Sequence, residues 1–144
     1  MPSAFRFLED VALADAAFEA TGDSPSELFQ AAAQAVIETL ADPRTVAGTW
    51  QRKVSREDED LASLLFDWLS EIVYVKDAHG VVFREAVPIV GREQGRWRLD
   101  ATLVGAPVDP ARQDLRADVK GVTKHLYELK QDGSRWTARV VLDI

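Results

Sequence analysis

Leu61, Leu64, Leu65, Trp68, Leu69, Ile72 and Val73 recur at three-and-four spacing through one segment of the chain. A stripe of that period puts every one of these side chains on one face of an amphipathic helix. A face so uniformly apolar must be covered, and a sheet is the surface broad enough to do it. Asp58-Glu59-Asp60 precedes the stripe and predicts an acidic first turn, favourable against the helix dipole. Lys76-Asp77-Ala78-His79-Gly80 predicts the turn that ends it.

A second helix is predicted at about 25–41, because Ser24-Pro25-Ser26-Glu27 combines a Ser N-cap, Pro at the first helical position and Glu to complete a capping box. Leu28, Ala32, Ala35, Val36 and Thr39 or Leu40 share one face, and Asp42-Pro43 stops the helix. Residues 14–21 read as a short strand before Gly22-Asp23, and residues 45–54 as another.

Strands dominate thereafter. Val81–Glu93 and Arg96–Gly105 flank Gln94-Gly95 as a hairpin. In the second of these, Trp97, Leu99, Ala101 and Leu103 alternate with Arg96, Arg98, Asp100 and Thr102, the pattern of a half-buried strand. Ala106–Pro110 is predicted as a loop, and Leu115–Lys130 as one long strand kinked near Gly121. Asp132-Gly133 signals a hairpin into a closing strand that runs to Asp143 and Ile144. The order is β-α-β-α followed by an antiparallel run. It predicts an α+β fold: two helices packed on a mainly antiparallel sheet or sheet pair, as a single domain over residues 1–144.

Composition narrows the function classes. There is no cysteine, which removes disulfides, zinc-thiolate sites and thiol nucleophiles, and suits a reducing cytoplasm. A net charge of −7 with scattered basic residues argues against tight direct nucleic-acid binding. No signal peptide and no membrane span is predicted. The eight glycines are dispersed and build no phosphate-binding loop. There is no Gly-x-Ser-x-Gly elbow, and His79 and His125 are read as structural or solvated.

Carboxylates remain as candidates. On the closing strand Trp136, Ala138, Val140 and Leu142 share one face and Arg135, Thr137, Arg139, Val141 and Asp143 the other. If the first and last strands end together, Asp15, Asp143 and the α-carboxylate of Ile144 meet as an all-oxygen cluster suited to Mg²⁺, Mn²⁺ or Ca²⁺. Strand-end aspartates are more commonly just solvated, and the residues alone leave both readings standing. Lys120 reads as a strand lysine that can pair with such a cluster.

Four segments spread along nearly the whole chain stand out together: Ala14-Asp15 through the capped helix start at Glu27-Leu28-Phe29, Glu59-Asp60-Leu61 through Tyr74, Asp118-Val119-Lys120-Gly121-Val122-Thr123-Lys124-His125, and the closing Val140-Val141-Leu142-Asp143-Ile144. In this order and spacing they resemble the archease family, small proteins that assist a tRNA-splicing RNA ligase. The resemblance implies metal binding by Asp15, Asp143 and the Ile144 carboxylate, with Lys120 as a functionally important neighbour and a divalent ion (Ca, Mg or Mn) as cofactor. One position departs from the pattern. The family usually carries His-Thr before Ala-Asp, whereas here the chain reads Ala12-Leu13-Ala14-Asp15, so Ala12 cannot supply what that histidine does.

The function so implied is that of an activator rather than an enzyme. It would promote guanylylation and multiple turnover of a GTP-dependent RNA ligase, in tRNA splicing or RNA repair, in the cytoplasm. The alternatives are a small metal-dependent phosphoester hydrolase and a chaperone-like interaction module that needs no metal.

Overall fold

The computed structural model describes residues 3–8 and 16–144. Among the described residues seven strands and two α-helices follow in the order β1 (Ala4–Phe7), β2 (Ala16–Gly22), α1 (Pro25–Leu40), β3 (Trp50–Asp58), α2 (Leu61–His79), β4 (Val81–Glu93), β5 (Arg96–Pro107), β6 (Gly121–Asp132) and β7 (Arg135–Asp143). The strands form two antiparallel sheets, one ordered β1-β2-β7-β6 and the other β3-β5-β4. Each helix packs against strands of both sheets. The result is an α+β single domain with its helices on antiparallel sheets.

The helix starts follow from local chemistry. The Ser24 side chain accepts from the Glu27 amide at 3.2 Å, Pro25 opens the helix, and the Glu27 carboxylate accepts from the Asp23 amide at 3.0 Å. Two otherwise unpaired donors are thereby satisfied. Ahead of α2 the acidic run divides its labour, unlike the expected acidic first turn. Asp58 ends β3 and accepts from the Asp60 amide, and Asp60 is the N-cap that accepts from Ser63. At the other end α2 continues through the predicted turn to His79, and Gly80 stops it in the left-handed conformation at φ 62°.

The α2 stripe is buried as its period requires. Leu64, Leu65, Trp68, Leu69 and Ile72 are all fully buried, and the Trp68 indole donates to the Phe29 carbonyl of α1 at 3.1 Å. Each such aliphatic side chain contributes about 1.5–3 kcal/mol by leaving water. On α1 burial is wider than the predicted face. Phe29, Ala31, Ala33 and Ile37 are buried too, because α1 meets β4 of one sheet and β2 of the other.

Several boundaries differ from expectation. Of the residues 14–21 read as a strand, positions 14 and 15 lie outside the described residues and β2 begins at Ala16. The strand expected at 45–54 is displaced: Pro43–Thr45 form a single 3-10 turn capped by Asp42, and β3 runs instead over Trp50–Asp58. β1 is a short additional strand that the alternation of so few residues does not announce. β5 extends to Pro107, past the expected loop start. Within it Gly105 is obligatory, since a Cβ there would collide with the Val82 carbonyl oxygen.

The long strand expected over Leu115–Lys130 divides in two. β6 starts at Gly121, and its irregularity lies between Thr123 and Glu128 rather than at the glycine. There Leu126 adopts φ 55°, Lys124 sits 4.1 Å over the Phe66 ring, and Tyr127 donates to the Ala62 carbonyl. Residues 115–120 form an extended strap outside the sheet. They are tied to the end of α1 by Arg116 donating to the Leu40 carbonyl at 2.9 Å and Ala117 to that of Thr39 at 3.0 Å.

Candidate functional site

β7 is an inner strand, flanked by β2 and β6, so its last residues lie where three chain segments converge. On one side Ala16 pairs with Leu142, the residue before Asp143. On the other, Gly121 pairs with Asp143, and the Lys120 amide donates to the Asp143 carbonyl at 2.7 Å. Val141 and Leu142 are fully buried, whereas Asp143 and Ile144 emerge into solvent. The strand thus brings the Asp143 side chain and the backbone of Ile144 from a buried base onto an exposed corner.

Of the sequence-predicted site residues, Asp143, Ile144 and Lys120 are brought together at this corner. Asp15 lies outside the described residues, as does Ala12. Among the described residues no three His, Cys, Asp or Glu side chains converge to hold a metal ion. The donors that are present are all oxygens, a set matched to hard divalent cations rather than to zinc or copper. They fit such an ion in chemistry, with further donors needed to fill its coordination.

Behind the corner stands a residue that the sequence pattern did not single out. Lys76, in the last turn of α2, is only 7% exposed. Its ammonium donates to Asp118 at 2.5 Å, to the Val119 carbonyl at 2.7 Å and pairs with Asp77 at 2.9 Å. Burial works against its charge, yet the bonds to Asp118 and Asp77 outweigh that and hold the ammonium above its ordinary pKa. The same bond from Lys76 holds the Asp118 carboxyl below the usual carboxylate range. The local signal was a lysine in a final helical turn, where cations are favoured, just before a glycine cap.

The two histidines stand apart from the corner in their contacts. His79 ends α2 beside Trp50, with ring centroids 5.7 Å apart and Arg52 3.4 Å from its Nε2. His125 lies in the irregular part of β6, its amide donating to the Thr123 hydroxyl at 3.3 Å. Among the described residues no helix is long and apolar enough to cross a membrane.

Fold and corner together define a class: small α+β proteins with two helices on antiparallel sheets and an acidic end to an inner strand. Comparison with known proteins resolves the class to a family. The model of the Archease protein family (MTH1598/TM1083) matches residues 5–144. The protein archease of Methanosarcina mazei is 34% identical over 141 residues, 97% of this chain and 95% of its own. That of Methanosarcina barkeri is 33% identical over 132 residues, 91% of this chain and 90% of its own. The solution structure of Methanobacterium thermoautotrophicum protein 1598 superposes with a TM-score of 0.82 at 30% identity, covering 98% of this chain and 99% of that one. A crystal structure of a Thermotoga maritima archease, described as a possible chaperone, shares the fold with a TM-score of 0.62 at 20% identity over 95% of this chain and 96% of that one. This chain belongs to the archease family.

Proposed function

We propose that this protein is a non-catalytic activator of a GTP-dependent RNA ligase, acting through a divalent ion held at the C-terminal corner. The observation that carries the reading is the backbone bond from the Lys120 amide to the Asp143 carbonyl, 2.7 Å, which sets the two residues side by side at the exposed end of β7. The Ala16–Leu142 pair supports the third ligand, because the chain neighbours of Asp15 and Asp143 are cross-strand partners. Asp15, Asp143 and the Ile144 carboxylate would hold the ion, and Lys120 would offset the remaining negative charge. Such an ion neutralises clustered carboxylates and offers open positions to phosphate or carboxylate oxygens of a partner. A net charge of −7 fits a protein that docks on a ligase rather than on its RNA.

The test is a ligase guanylylation and turnover assay with Asp143→Ala and Asp15→Ala proteins. Loss of stimulation in both is the expected result, and undiminished stimulation by both rejects the reading. A second reading, a chaperone-like module that needs no ion, is favoured by the description of the Thermotoga maritima relative and by Ala12 standing where the family histidine is expected. In that case stimulation survives both substitutions, and partner solubility or assembly is what the protein changes.

A further inference from the structure

We infer that Lys76 is the positioning residue of the Lys120–Asp143 corner, acting through the strap at residues 115–120. The strap has no strand partner of its own over most of its length, yet it must deliver the Lys120 amide to the end of β7. Its start is fixed to α1, where Arg116 and Ala117 donate to the Leu40 and Thr39 carbonyls. Its end is fixed where Lys120 donates to Asp143 at 2.7 Å. Between those points, backbone hydrogen bonding gives way to a side chain, the Lys76 ammonium on Asp118 and the Val119 carbonyl at 2.5 and 2.7 Å.

The arrangement is an unusual use of a lysine. An ammonium 7% exposed sacrifices hydration, and a fold needing only an apolar filler there would do better with one. What the charge supplies is direction: several donors on one atom that fix adjacent residues at once. Asp118 and Val119 immediately precede Lys120, so any slack at Lys76 is transmitted to the Lys120 amide and side chain. Val119, between Asp118 and Lys120 in the chain, is fully buried and ties the strap to the core by packing as well. Groups that orient a ligand without touching the ion commonly change metal affinity 10–100-fold when removed.

The experiment compares the wild-type, Lys76→Met, Lys76→Arg and Asp118→Ala proteins, each as the full chain. Backbone amide exchange is followed by NMR in metal-free buffer, and Mn²⁺ affinity by calorimetry. Lys76→Met is expected to speed exchange of the Lys120 amide at least tenfold, with the β4–β5 amides unchanged, and to weaken Mn²⁺ binding about 10–100-fold. Lys76→Arg, which keeps charge and donors, recovers part of both. If Lys76→Met does not fold, Asp118→Ala decides, since its carboxyl is 69% exposed and its loss leaves the core intact. Unchanged Lys120 exchange in the variants that fold overturns the inference. The affinity arm rests on the metal reading given above, and the exchange arm does not. A wild-type protein that takes up no Mn²⁺ therefore removes the metal reading while Lys120 exchange still decides the role of Lys76.

Discussion

The Lys120 amide donates to the Asp143 carbonyl at 2.7 Å, joining the end of the strap to the end of an inner strand. The bond is made by backbone, so it survives any side chain at position 120 that keeps its N–H. Lys120→Ala should therefore leave stability within about 0.5 kcal/mol of wild type, as exposed substitutions do. Ligase stimulation should nevertheless fall. Chemical denaturation alongside a turnover assay separates the two, and a parallel loss of both would assign Lys120 to the fold instead.

Asp143 is exposed at the end of β7, and the residues before it carry the packing. Asp143→Asn should keep the melting temperature and lose divalent affinity at least tenfold, as expected when an ionised oxygen donor is replaced by an amide. Thermal denaturation with and without Mn²⁺ reads this directly. The wild type should gain stability with added ion, by linkage, and the variant should gain little. An equal gain in both would place the ion elsewhere.

Trp68 ties the two helices together, fully buried and bonded to the Phe29 carbonyl at 3.1 Å. Trp68→Phe removes that donor and leaves unfilled volume, with an expected loss of about 2–4 kcal/mol. Urea denaturation should show a lower midpoint with an unchanged slope. A loss below about 1 kcal/mol would mean the helices repack freely around this position.

Asp42 gives the fold an acid dependence. Hydrogen bonds from the Arg44 side chain and amide hold its carboxyl at about 2, below its ordinary 3.8. A carboxyl depressed on folding stabilises at pH above its unfolded value, and that contribution is lost as pH falls from 3.8 towards 2. Asp42→Asn should flatten the stability profile across that window while lowering stability at neutral pH. A variant whose acid profile matches wild type would exclude Asp42 as the source.

Elements written in local periodicity were legible in the sequence. The α2 stripe, the α1 capping residues and the Gln94-Gly95 turn all lie where spacing and turn chemistry put them. The strap reads as strand in the sequence because Leu115, Ala117 and Val119 alternate like one. What decides is the partner, and Arg116 and Ala117 bond the end of α1 rather than a neighbouring strand. Period-two patterning reports an extended backbone and is silent on what it pairs with. The same limit hid Lys76, which is 42 residues from the Asp118 that it holds. Asp143 and Lys120 come forward as candidates through family resemblance, since strand parity alone favours a solvated aspartate.

On the proposed function, the Ile144 carboxylate and Asp143 hold a hard divalent ion together. Calorimetric titration of Mn²⁺ into two proteins tests it most directly: one ending at Ile144 and one with two glycines appended, which turn that carboxylate into an amide. The extended protein should bind at least tenfold more weakly while melting at the same temperature. Equal affinity in the two proteins would contradict the claim.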